Sequence, residues 1–131
     1  MDQSDARKTL ATIYAQVAVA EPVRRIPDAD SATSKCHENA SRHCTANRGT
    51  EVVTGWLILP FYGLTQVWLI PHSVVRCSDG ELLDVTPQHD ERKTLKFVPD
   101  ASPLLLSAIV GNIGYFDFVP TDDEAVAAEG G

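Results

Sequence analysis

Two helix signals come first, several short strand signals follow without regular alternation, and apolar strand residues crowd between 51 and 85. Together they predict an α+β fold, with helices packed on one face of a mainly antiparallel sheet. The chain has 131 residues, 44% of them hydrophobic and 22% charged, which is the composition of one soluble globular domain. We expect that domain to span 1–120 and to be followed by a tail.

The elements follow in order. Residues 5–19 put Leu10, Ile13, Tyr14 and Val17 on one face of an amphipathic helix. Pro22 and Pro27 read as brackets around an irregular link. A second helix is expected from about Ser34 to Asn47, capped by Ser31, Thr33 or Ser34 and ended by Gly49 in the left-handed conformation. Its inner stripe is made of small residues, Cys36, Ala40, Cys44 and Asn47, so it has to lie close against a sheet. Strands are expected at 51–59 and 65–70, then a hairpin of 72–77 and 82–85, then a strand at 95–98. Ser102 and Pro103 open a third helix that runs through Val110 and stops at Gly111. Residues 115–119 suit an edge strand, and 121–131 read as an acidic, disordered tail.

Charge and cysteine content narrow the function classes. A net charge of −7, with no basic cluster beyond Arg24-Arg25, argues against nucleic acid as a partner. The apolar stretch 52–70 is interrupted by Gly55, Pro60, Gly63, Thr65 and Gln66, so it reads as two buried strands and not as a membrane span. The first residues lack the basic start and apolar core of a secretory signal. Three Cys without framework spacing suit free thiols in a reducing compartment, and a cytoplasmic setting is expected.

Thiol catalysis needs a thiolate, a base that takes and returns its proton, and a group that orients the base. A Cys in the first turn of a helix is favoured as thiolate by the positive helix end and by a neighbouring imidazolium. Cys36 stands at about that position, whereas Cys44 lies two turns further in and Cys77 at a hairpin end. His72 is the candidate base and Asp84 the candidate orienter. A two-residue loop, Asp79-Gly80, would turn His72 and Asp84 to opposite faces of the hairpin. A three-residue loop, Ser78-Asp79-Gly80, would pair Val74 with Asp84 and bring His72 and Asp84 onto one face as diagonal neighbours. Both registers are open to this sequence. Each residue also has a plainer reading: Cys36 as a small packing residue, His72 as a half-exposed strand residue, and Asp84 as a cap on the following turn.

Cys36-His37 and His43-Cys44 also suggest zinc. The two pairs lie six to eight residues apart, roughly 9–12 Å along an intact helix, too far to share one ion. His37 and His43 read as solvent-facing helix residues, and His89 as a loop residue.

Several stretches taken together resemble the transglutaminase-like branch of the papain-like cysteine enzymes. Lys35-Cys-His-Glu-Asn-Ala40 is similar to that family's helix start, and Asn47-Arg-Gly-Thr-Glu-Val-Val-Thr-Gly-Trp56 to the stretch entering its first strand. His72-Ser-Val-Val75 matches the His strand, and Leu83-Asp-Val-Thr-Pro87 resembles the family's Asp-Pro-Thr. The chain departs from the pattern in three places: no Gly precedes Cys36 in the usual way, no Trp follows His72 by two, and Val85 stands where the family has Pro. The resemblance covers 34–87 and implies a papain-like core, with Cys36 as nucleophile, His72 as general base and acid, and Asp84 as orienter. It also implies the Cys36 backbone amide as one oxyanion donor.

The expected activity is cysteine-dependent hydrolysis or acyl transfer on an amide or ester, with a peptide, protein or small molecule as substrate. No cofactor and no metal are expected at the site. The competing readings are a papain-like fold that serves only as a protein-binding module and, last, a small zinc-binding protein.

Overall fold

The computed structural model describes residues 3–26, 35–60, 66–86, 94–111 and 113–130. It is built from helix α1 (Gln3–Tyr14), strand β1 (Glu21–Arg25), helix α2 (Cys36–Ala46), strands β2 (Glu51–Pro60), β3 (Val67–Arg76), β4 (Leu82–Asp84) and β5 (Thr94–Pro99), helix α3 (Pro103–Val110), strand β6 (Phe116–Phe118) and helix α4 (Asp122–Gly130). The first helix stops short of the expected end, and a single 3₁₀ turn, Val17–Val19, carries the chain into β1.

The sheet is closed. Strands run in the order β2-β5-β1-β4-β3, and β3 returns to pair with β2, while β6 adds to β3 from outside the ring. Every pairing is antiparallel except β1 with β4. The α+β class stands, but the expected sheet with helices on one face closes into a five-stranded barrel. Its interior is the cluster Val23, Leu57, Val74, Leu82 and Phe97, one buried residue from each of the five strands. Alternation sends their neighbours outward, where the helices cover two separate patches. Leu10 and Ile13 of α1 and Leu105 of α3 pack over Trp56, Ile58, Leu69 and Val98. Ala40 of α2, with Cys44 beside it, packs on Val75 and Val85. The small-residue stripe of α2 thus does what its composition requires, letting the helix lie close to the barrel.

β1 is a correction. Pro22 had marked an irregular link, yet this strand sits between β4 and β5. Val23 is its single fully buried residue, too little for an alternation signal. The ladder on the β4 side begins only at Val23, so Pro22 precedes it and leaves no partner wanting on that edge.

The C-terminal segment is the second correction. Residues 122–130 form α4 where an acidic disordered tail was expected. Thr121 and Glu124 make a reciprocal capping box: the Thr121 Oγ1 accepts from the Glu124 amide at 3.2 Å, and Glu124 Oε1 accepts from the Thr121 amide at 2.8 Å. Glu124 also pairs with Arg7 of α1 at 2.7 Å. The expected caps Ser31, Thr33 and Ser34 lie outside the described residues, as do Pro27, His89, Pro87 and the connection Phe61-Tyr-Gly63. α3 matches the expected bounds, with the Ser102 Oγ accepting from the Leu105 amide at 3.4 Å. Among the described residues no helix is long and apolar enough to cross a membrane.

Candidate active site

The site begins with a break in one edge of β3. Along its other edge β3 pairs with β2 over its whole length. On this edge it pairs with β6 at 67–69 and with β4 at 75–76. On this edge the stretch 70–74 between them has no strand partner among the described residues. Ser73 directs its backbone N–H away from the ladder, to the sulfur of Cys36. The two-residue repeat of a strand puts the nitrogen of Pro71 on the same edge, where a missing N–H deprives no ladder of a bond.

The hairpin between β3 and β4 takes the three-residue form. Val75 pairs with Leu83 and Arg76 with Leu82. The Cys77 amide donates to the Glu81 carbonyl at 2.8 Å, and Gly80, at φ +91°, donates to the Cys77 carbonyl at 2.9 Å. Asp79 supports the turn by accepting from the Glu81 amide at 2.9 Å. This register places His72 and Asp84 on the interior side, each two residues along from an apolar interior residue, Val74 and Leu82. The apolar layer of the barrel is therefore followed by a polar one.

Within that layer His72 Nε2 lies 2.9 Å from Asp84 Oδ1, with the histidine 3% exposed and the aspartate fully buried. Asp84 Oδ1 also accepts from the Thr86 amide at 3.1 Å. Its other oxygen, Oδ2, faces Arg25 Nε at 3.6 Å, an ion pair longer than a hydrogen bond. Thr86 Oγ1 in turn accepts from Asn39 Nδ2 at 3.0 Å, and Asn39 is the buried residue one turn after Cys36. That bond ties α2 to the segment carrying the carboxylate. On the strand opposite His72 stands Gly55. A Cβ there would come within 2.3 Å of the Val98 carbonyl oxygen and 2.5 Å of the Phe97 ring, so only glycine lets Phe97 pack beneath the site.

Cys36 is the first residue of α2, preceded by Lys35, which makes no side-chain cap. Its sulfur is hydrogen-bonded to His72 and accepts from the Ser73 amide. Because Nε2 of His72 is committed to Asp84, Nδ1 is the nitrogen left for the thiol. Burial pushes the Cys36 thiol up. The bond and charge of His72, with the Ser73 amide, more than offset burial and a smaller opposing push from Asp84, so the thiol sits below its ordinary value. For His72 burial works downward, and the bonds to Asp84 and Cys36 and their charges prevail, raising it to about 9. Both shifts favour a thiolate facing an imidazolium. At the first position of α2 the Cys36 amide has no partner within the helix and belongs to its positive end.

The three side chains singled out from the sequence are thus brought together from α2, β3 and β4. Missed were Arg25, for which the sequence carries no signal, and the Asn39–Thr86 bond, which needs the helix docked. Ser73 serves through its backbone, which no residue type could announce. His37, expected to face solvent, is exposed but its Nδ1 lies 3.1 Å from the Ser73 Oγ. Cys44 and Cys77 are free thiols outside the cluster. Among the described residues no three His, Cys, Asp or Glu side chains are grouped to hold a metal ion.

No protein-family model matches this chain, and neither does any curated protein or solved structure.

Proposed function

We propose that the chain is a cysteine-dependent hydrolase or acyltransferase acting on an amide or ester, with a papain-like, transglutaminase-like arrangement of Cys36, His72 and Asp84. The observation that carries this reading is the placement of His72 between the two others, bonded to the Cys36 sulfur and 2.9 Å from Asp84.

The chemistry follows from that order. The Cys36 thiolate attacks the carbonyl carbon, and the oxygen takes up the electron pair beside the Cys36 amide. As the carbonyl reforms, the bond to the amine or alcohol breaks, and the imidazolium gives that leaving group its proton. This leaves a thioester on Cys36 and a neutral imidazole. His72 then takes a proton from water or an amine, which attacks the thioester, and Cys36 departs as thiolate. Asp84 holds the ring in one orientation throughout and stabilises its charged form.

The test is acylation by a panel of activated esters and aminoacyl amides, read as mass added to peptides. An acyl group on Cys36, lost in Cys36→Ser and slowed at least about a hundredfold in His72→Ala, supports the enzyme. Equal, slow modification of Cys36, Cys44 and Cys77 would leave a binding module on this fold as the better reading.

A further inference from the structure

We propose that Arg25 is a fourth member of the site, a positioning residue whose guanidinium holds the Asp84 carboxylate in place and supplies the second buried cation the site requires. The inference rests on the proposed thiol chemistry of Cys36.

Three observations converge on Arg25. The parallel β1–β4 ladder sets it directly beside Asp84. The Ile26 amide, next in the chain, donates to the Asp84 carbonyl at 3.0 Å, fixing the two strands at this level. The Arg25 side chain is only 8% exposed, and its Nε lies 3.6 Å from Asp84 Oδ2, the oxygen that His72 does not use. The position also continues the interior alternation: Val23 lies in the apolar layer, and Arg25, two residues on, lies in the polar layer with His72 and Asp84.

Charge balance gives the arrangement its purpose. In the reactive form Cys36 and Asp84 are anions and His72 a cation, which leaves one negative charge uncompensated in a buried site. Unbalanced buried charge is costly, and the site would take up a proton to remove it. Arg25 sets a positive charge beside Asp84 that opposes this, and so favours Cys36 as a thiolate while His72 stays protonated. Among the described residues, Arg24 pairs with Glu81, Arg76 with Glu21, and Arg42 donates to the Asn39 Oδ1. His37 on α2 meets Ser73 and not the carboxylate.

The experiment is the pH profile of Cys36 alkylation by iodoacetamide, a neutral probe, resolved by peptide mass analysis in the parent, Arg25→Gln and Arg25→Lys. In Arg25→Gln both limbs of the profile move to higher pH, because loss of a cation makes each proton harder to remove. The Cys36 rate at pH 6 falls by about tenfold, the effect of one pKa unit. Arg25→Lys restores most of the parent profile. Unmoved limbs in a folded Arg25→Gln would overturn the inference. If Arg25→Gln does not fold, Arg25→Lys decides: a folded protein with parent-like limbs supports the proposal. Displaced limbs there, or loss of folding in both variants, would reduce Arg25 to a structural part and overturn it. A parent whose Cys36 titrates as an ordinary thiol would instead remove the catalytic reading itself.

Discussion

His72 and Asp84 stand on neighbouring strands of one hairpin, yet they are not a directly opposed pair. They meet diagonally, Nε2 to Oδ1 at 2.9 Å, because the turn between them spends three residues and not two. One residue of loop decides whether the imidazole has a carboxylate.

Deletion of Ser78 tests this. With Asp79-Gly80 alone as the turn, the register slips by one and Asp84 moves to the outer face. We expect the fast alkylation of Cys36 to be lost, giving a rate similar to those of Cys44 and Cys77. A shortened chain that kept a selectively reactive Cys36 would contradict the role of the register.

The pH dependence has a definite shape. Cys36 is held below its ordinary value and His72 above its own, at about 9, so the thiolate–imidazolium pair exists between the two. Acylation of Cys36 should rise from acid pH before an ordinary thiol ionises and fall as His72 loses its proton near pH 9. The linkage to stability has the matching sign. The contribution of His72, raised from 6.5, is fully present below pH 6.5 and is lost as pH rises through about 9. Denaturant melts of the parent and of His72→Gln across that interval check it: the parent alone should lose stability with this profile.

Gly55→Ala should destabilise the barrel by about 1–3 kcal/mol, the usual cost of overpacking a core. The added methyl would meet the Val98 backbone oxygen and the Phe97 ring at 2.3 and 2.5 Å, and neither is the far end of a flexible chain. Urea unfolding measures it. An unchanged midpoint would show that β5 can retreat from the site at no cost.

Asn39→Ala removes the donor that reaches Thr86 Oγ1 at 3.0 Å. Loss of a buried bond of this kind costs about 1–3 kcal/mol. Here the added effect should be a slower Cys36, since α2 is no longer tied to the segment that carries Asp84. A variant that loses stability while Cys36 keeps its full alkylation rate would limit Asn39 to holding the fold.

At the C-terminus, Thr121→Ala removes one half of the capping box and should cost about 0.5–2 kcal/mol of helix stability. Faster hydrogen exchange in 122–126, with 72–84 unchanged, is the expected reading. Uniform change, or none, would mean that α4 does not depend on its cap.

What the sequence determined by itself was local. Ser102-Pro103 and Gly111 bounded α3, and the β-branched runs marked β2 and, as two strands at 65–70 and 72–77, what the structure joins into β3. These are signals carried by neighbours in the chain, where capping, propensity and spacing act. Even the tail held a readable signal, the Thr121–Glu124 box, which its acidic composition obscured. The tertiary structure decided the rest, because it depends on contacts between distant segments. Closure of the sheet through β1 rests on a strand whose one buried anchor is Val23, and pairing on both sides defines it where its own residues do not. The three-residue turn was one of two allowed by Ser78-Asp79-Gly80 and was selected by which side chains the barrel then buries. Arg25 is 59 positions from Asp84 in the chain. Only a parallel ladder between β1 and β4 makes them neighbours.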